Sequence, residues 1–600
     1  MATRLEEPGP YTEFPDGYCQ AAGGVISSGH VRPTATAHWA RDVLIDASRG
    51  AADRGRAFAA LVTLIEGQIT ERCPVPGLVE DARGTWGWSV GNTGGTGPAP
   101  NMEDFVGTAF MQIFRHDSLR DHSDWPEGLL EQLRQSIIKA MQCSHNRRVR
   151  VSYTNPLAMS IECSALAGEA FGIPEFVEFA RERLAEWIAF TERAGTFEEF
   201  NSSCYGGVTM PHVATLAEHV EDADIREKAL YMERKYFDHI CDFYHHPTRE
   251  ACMPRSRAYH DRFAGTYVVN YLSVILARRR PGAFGAPTRL PALQEIQYSH
   301  ATDEQIDRLL ETFAEPRETR VFAEWIGCDH VGRLGQAPPP AAGEPTRRRQ
   351  LVAWRTGEFC IGSVNEIDSW EQRQSVGGYI RTPDGSAMVA WKPLISVEGT
   401  FIDEQKRRWP TLMYFNLCSG QRGGAVLAGM SPIPIDGPWL AGSHWREKVA
   451  GVVEGVSVDL GFDIDGIDPG TEMPQVVMGR PWRLDVGNCT VSLLVMGGHV
   501  GETQAEPVVR RSDGSWRVSL LRKEDFTLDW SGPPEVGLAF VLDISSAGEA
   551  PEIGEASWSV SGTKLDCAAT VGGKRLTLRY DPLGIAELTR RACFFDVTDA

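Results

Sequence analysis

The chain is 600 residues long, 42% hydrophobic and 23% charged, and its 60 basic and 80 acidic residues leave a formal net charge of -20. That length exceeds what one hydrophobic core organises, so two or three domains are expected. The acidic balance argues against a general nucleic-acid or anionic-membrane binder, which carries a basic face, and no run reaches the roughly 18 apolar residues that span a bilayer.

The first residues, MATRLEEPGPYTEFPDGY, show no apolar segment after a basic start, so no export signal is read and a cytoplasmic, soluble protein is expected. The 13 cysteines form no C-x-x-C and keep no regular spacing. That scatter suits buried, reduced thiols better than a disulfide framework or a Cys-ligated zinc site.

Residues 1–33 read as an irregular arm rich in Gly and Pro. From 34 to 331 the period is helical. Segments 36–49, 53–72, 102–115, 127–143, 155–171, 174–193, 208–220, 224–245, 265–280, 291–299 and 303–325 repeat apolar residues at three- and four-residue intervals. In 174–193, Pro174 stands in the first turn, and Phe176, Val177, Ala180, Leu184, Trp187 and Ile188 make one face. Thr302 and Gln305 have the spacing of a capping box. So many helices in succession, without a fixed repeat length, predict a closed or nearly closed α/α toroid of helical hairpins with ligand-facing inner loops.

Three polar loops interrupt the helices. Gly84 to Asn101 places Trp86, Trp88 and Asn92 in a Gly-rich stretch, where the indoles either stack on sugar faces or plug the core. The second loop carries Asn201, Ser202, Ser203 and Tyr205 ahead of Gly206-Gly207, with His212 one helical step further on. After the helix near 224–245 comes the third, where Arg255, Arg257, Tyr259, His260 and Arg262 fall within eight residues. Cation, phenol and imidazole so close together suit an anion-binding, proton-transfer site. Each group also has a structural reading: an N-cap string for Asn201-Ser202-Ser203, a packing role for His212, ion pairs for the arginines. The functional reading needs the second and third loops, some fifty positions apart, to converge on one hollow.

Gly332 to Gln350 is a Pro/Gly-rich linker ending in Arg347-Arg348-Arg349, read as a solvated edge. From 351 to 600 the period becomes two, with turn residues every ten or so positions, which predicts an antiparallel β-sandwich of ten or more strands. Between two of those strands, Ser363 to Gln374 forms a polar insertion whose Trp370 and Gln372 either wall a cleft or sit in a plain hairpin loop. No G-x-S-x-G, phosphate loop, H-E-x-x-H or dinucleotide fingerprint occurs.

A helical toroid followed by an antiparallel β-sandwich resembles the layout of polysaccharide lyases of the chondroitin AC, hyaluronate, alginate and heparinase II/III types. The resemblance implies cleavage of a uronate-containing glycan by β-elimination. In such enzymes an Asn (or an acid or Gln) and an Arg neutralise the carboxylate, and Tyr and His handle the protons. Matching residue types stand at Asn201, Tyr205, His212, Arg257, Tyr259, His260 and Arg262. Tyr259 is the first choice of proton carrier and Tyr205 the second, with His212 or His260 as partner base; Trp86, Trp88, Asn92, Arg255, Trp370 and Gln372 would line the substrate. The expected partner is an acidic oligosaccharide, with neither nucleic acid nor membrane. No cofactor is called for, a divalent metal is left open, and nothing indicates the oligomeric state. Two alternatives stand beside this reading. One is an inverting glycoside hydrolase on an α/α barrel, using Glu103-Asp104 or Glu198-Glu199 as its carboxyl pair; the other is a carbohydrate-binding protein without catalysis.

Overall fold

The computed structural model describes residues 12–13, 19–20, 30–75, 79–87, 90–91, 97–99, 101–116, 125–258, 261–263, 267–283, 297–325, 347–368, 373–397, 415–432, 452–467, 475–504, 506–512, 515–529, 536–562, 564–581 and 593–600. The helical period of the first half forms helices α1 (Pro33–Ile45), α2 (Ala51–Glu66), α3 (Met102–Arg115), α4 (Leu129–Arg147), α5 (Thr154–Phe171), α6 (Pro174–Ala194), α7 (Gly206–His219), α8 (Ala223–Phe243), α9 (Tyr267–Arg279) and α10 (Asp303–Leu309). Helices α1, α3, α5, α7 and α9 pack one on the next as an inner row. Helices α2, α4, α6, α8 and α10 form the outer layer, where α2 packs on α4, and α8 on both α6 and α10. The sequence separates the rows: α5, covered on both sides, is buried from Thr154 to Gly168, whereas α6 buries one stripe that includes Phe176, Ala180, Leu184 and Trp187 and leaves its other face wet. Pro174 opens α6, and Thr302 and Gln305 close a capping box at α10, as their spacing predicts.

Two expectations on the first half are corrected. The helix expected over 303–325 stops at Leu309, and Arg317–Trp325 is a strand paired with Arg347–Arg355. The β half therefore begins before the Pro/Gly-rich stretch, of which residues 326–346 lie outside the described residues. Arg347 to Arg349, read as a solvated edge, open the second strand, and Arg349 is buried. Of the helix expected over 291–299, residues 291–296 also lie outside the described residues, and 297–299 are not helical.

The second half builds three antiparallel sheets. The first has eight strands in the order Val508–Ser512, Ser515–Asp529, Val452–Asp465, Gly385–Val397, Val376–Thr382, Phe359–Val364, Arg347–Arg355, Arg317–Trp325. The second runs Glu366–Asp368, Phe415–Arg422, Ala425–Pro432, Val536–Ser546, Cys489–Val500, Trp482–Val486, with Thr503–Gln504 paired to Cys489–Val500. Alternate residues of both, such as Ile361, Trp391 and Phe462 from one and Val426, Leu493 and Phe540 from the other, meet in a single core. A four-stranded sheet, Ile553–Ser561, Lys564–Val571, Lys574–Tyr580 and Cys593–Asp599, covers the far face of the second through Leu427, Val541, Leu565 and Leu578. The fold is thus an α/α toroid of helical hairpins followed by a β-sandwich.

The halves share a core of their own. Phe200, Phe243, Cys252 and Met253 of the toroid pack on Leu351, Ala353, Cys360, Tyr379 and Met388 of the eight-stranded sheet. Contact is close enough that a Cβ at Gly362 would stand 1.7 Å from the Met253 carbonyl oxygen, so only glycine fits there. Among the described residues no helix is long and apolar enough to cross a membrane.

Candidate active site

The asparagine loop and the arginine loop converge. The Ser256 amide donates to the Phe200 carbonyl at 3.1 Å, and the Ser202 hydroxyl donates to the Arg257 carbonyl at 2.7 Å. Asn201, held at a left-handed φ of 49°, turns its side-chain amide to the Pro254 carbonyl at 2.8 Å. Asn201 is therefore the tie between the loops, and its donor is occupied by backbone instead of facing a ligand.

Arg257 is the centre of the junction. Its Nη1 pairs with Glu199 at 2.9 Å, its Nη2 donates to the Tyr205 hydroxyl at 3.0 Å, and its guanidinium lies 4.2 Å from the Tyr205 ring centre and 5.5 Å from that of Tyr153. Glu199 is fixed from the other side by the Thr154 hydroxyl and, at 3.3 Å, by the Asn155 amide. A guanidinium so held stabilises negative charge on the phenolic oxygen it touches.

Tyr205 caps α7, and the residues two turns along it share its face. Tyr205, Val208 and His212 are all half-buried, while Thr209, Met210 and Val213 beside them are buried. His212 lies about 10 Å further along the axis and, like every helical side chain, leans toward the helix N-terminus and hence toward Tyr205. Its Nδ1 is 2.5 Å from Glu162 of α5, whose side chain is 1% exposed. With that carboxylate accepting, the proton sits on Nδ1, and Nε2 is left as the basic atom. Behind the loops, the cavity lined by Glu199, Asn201, Ser202, Tyr236, His239 and Phe263 is about 20 Å³, room for one water and no sugar.

A buried polar chain supports the site from below. Arg147 lies between Glu103 and Asp104 and reaches Asn101, whose amide donates to the Tyr153 hydroxyl at 3.1 Å. Burial pushes the Asp104 carboxyl up to about 7 against the pull of Arg147, with Glu103 adding its repulsion. His239 is buried and held neutral: Nδ1 meets the Thr196 hydroxyl at 2.9 Å, Nε2 accepts from the Asn201 backbone N–H at 3.3 Å, and burial lowers its pKa to about 4.

A pH prediction follows from His239. Because its folded pKa lies below the free value near 6.5, the stability it contributes is complete above 6.5 and is lost as pH falls toward 4. Asp104, raised in the fold, works in the opposite sense over the same range. The difference in unfolding free energy between wild type and His239→Gln should therefore shrink by about 3 kcal/mol from pH 7 to pH 4. A difference constant over that range would remove the neutral imidazole from the account.

Several residues singled out in the sequence sit elsewhere. Arg255 is fully buried, donating to the carbonyls of Ala251 and Asp261 at 3.0 Å each and to Gln374 of the sandwich at 3.2 Å. Arg262 is committed to Asp465 and Ser386 at 2.8 Å. Both arginines fasten the loop to the sheet and present no donor beside Tyr205. Trp86 is the core plug of its two readings: it is fully buried, its indole N–H donates to the Leu64 carbonyl at 2.7 Å, and its ring meets Phe110 edge-on. Trp88, Asn92, Tyr259, His260, Trp370 and Gln372 lie outside the described residues. Glu162 was missed, and its signal was present: it is an acid inside TNPLAMSIECSALAGEAF, a helix otherwise of apolar and small residues near its middle. Among the described residues no three His, Cys, Asp or Glu side chains gather as metal ligands.

A domain of unknown function (DUF8769) matches residues 98–315, and no curated protein sequence matches the chain. Solved structures with a similar layout include heparinase III, at 9% identity over 90% of this chain and 81% of that one with a TM-score of 0.44. The Streptomyces coelicolor A3 chondroitin AC lyase, in complex with chondroitin sulphate, is similar at 11% identity over 92% and 85% of the two chains, TM-score 0.40. The Paenibacillus xanthan lyase is similar at 9% over 92% and 60%, TM-score 0.35. The likeness is to the arrangement of helical and β halves in these polysaccharide lyases; the chemistry rests on this chain's own residues.

Proposed function

We propose that the protein is a lyase that cleaves an acidic, uronate-containing oligosaccharide by β-elimination. His212 Nε2 takes the proton from C5, the C5 electron pair forms the C4–C5 double bond, and the C4–oxygen bond breaks. Tyr205 gives its hydroxyl proton to the departing oxygen, and Arg257 stabilises the phenolate left behind. Glu162 and Glu199 act through these groups, the first by fixing the His212 tautomer and the second by anchoring Arg257. The observation that carries this reading is the placement of Arg257, stacked on and hydrogen-bonded to a half-buried tyrosine that shares a helix face with an oriented histidine. Tyr259 and His260, two and three positions beyond Arg257, are our candidates for meeting the substrate carboxylate. A cytoplasmic setting belongs to the proposal, supported by the free thiols of the described cysteines.

A hydrolase needs two carboxyls with a water between them. Glu103 and Asp104 instead share Arg147, and Glu199 is bound to Arg257. Incubation with a panel of uronate-containing oligosaccharides, followed by near-ultraviolet absorbance, tests the choice. The expected product is an unsaturated sugar with a new chromophore; cleavage without a chromophore would establish hydrolysis and end the lyase proposal.

A further inference from the structure

The sandwich holds an open pocket of about 390 Å³ where its three sheets meet, lined by Glu318 and Trp354 of the eight-stranded sheet, the Arg422–Gly424 turn and Asp543 of the second, and Gly572 of the third. That volume lies within the range of small-molecule sites. In the strand Val536–Ser546, Ala539 and Val541 face the four-stranded sheet and are apolar. Asp543, next on that face, stands where the cover ends. It is 3% exposed and its Oδ2 has no hydrogen-bond partner; Ser492, directly across the ladder, likewise leaves its hydroxyl unpaired. An unmet buried polar group is costly, so the Asp543 oxygen on the pocket wall calls for a donor from outside. Burial also pushes the Asp543 carboxyl up to about 6, against a hydrogen bond from Ser545 and the charge of Arg483.

The rest of the wall selects the ligand. Gly423 and Gly424 keep it shallow: a Cβ at 424 would stand 2.1 Å from the Ile544 carbonyl oxygen, and one at 423 would stand 3.9 Å from the Trp354 indole. The pocket thus sets an indole beside a carboxylate. Glu318 is neutralised by Arg320 at 2.5 Å, and the charge of Arg483 acts on Asp543, so no net charge favours an ion. We infer that this pocket is a second binding site, for a neutral, hydroxyl-rich ligand such as a sugar residue, whose apolar face lies on Trp354 and one of whose hydroxyls donates to Asp543.

The site shares no residue with the one around Tyr205, and its test reads binding, so failure of the lyase proposal leaves it standing. Full-length protein is titrated calorimetrically with maltotriose, cellotriose and triacetylchitotriose. At least one should bind, with affinity at least tenfold lower in Asp543→Asn and several-fold lower in Arg422→Ala, an exposed position whose loss spares the fold. The inference is overturned if none binds at millimolar concentration or if both pocket variants bind as wild type does.

Discussion

Replacing Tyr205 by phenylalanine is expected to lower kcat on a uronate-containing oligosaccharide by about 10²- to 10⁴-fold, the range removed with a general acid or base. KM should move little, because the ring that a sugar would touch remains and only the proton is lost. The variant should also fold: removing the hydroxyl deprives one Arg257 nitrogen of one acceptor, a cost of about 1 kcal/mol at a half-buried position. Loss of turnover with unchanged thermal unfolding would locate the defect in the chemistry. His212→Ala should fall as far, and the double variant little further than either single one, since two groups passing protons across one bond act as a unit. Turnover within threefold of wild type in Tyr205→Phe would take this phenol out of the mechanism and return the role to Tyr259.

How far the site was legible in the sequence differs from residue to residue. The helices were readable because each buries a stripe at the helical period, and the convergence of two polar loops was readable because both stand at the ends of strongly periodic helices. Which side chain of a loop faces the ligand was not. Arg255 and Arg257 are alike in type and two apart, yet one is a strut and the other touches Tyr205. The cause is conformational: the Arg255 amide and carbonyl pair with Gln374 of the sandwich, while the Arg257 side chain is held by Glu199 and Tyr205, more than fifty positions back. Asn201 misled for a similar reason, since the left-handed turn that aims its amide at Pro254 depends on a partner fifty-three residues on. The misplaced boundary has the same root. RETRVFAEW alone fits a helix or a strand, and the ladder that decides it, Arg347–Arg355, lies beyond a Pro/Gly-rich stretch.

Arg255→Ala is expected to cost about 3–5 kcal/mol, the range for removing one partner of a buried ion pair. Arg255 lies 3.6 Å from Glu250, which is 1% exposed, and its guanidinium sits between the rings of Phe263 and Tyr379, at 5.5 and 5.3 Å. Truncation would take a donor from the Ala251 carbonyl and the Gln374 side-chain oxygen, leave the Asp261 carbonyl to the Tyr379 hydroxyl, and open a cavity between the toroid loop and the eight-stranded sheet. Lysine would restore a charge but not the planar fork that reaches Ala251, Asp261 and Gln374 together, so Arg255→Lys should recover less than half of the loss. Thermal unfolding should begin earlier and separate into two transitions as the halves lose a shared support. Because Arg257 follows two residues later in the same extended segment, turnover should fall as well, although Arg255 makes no contact with Tyr205. An Arg255→Ala protein that unfolds at the wild-type temperature in one transition would show that the interface core of Phe200, Phe243 and Met253 suffices without it. In that case the position of Arg257 would have to be set by Glu199 and Ser202 alone.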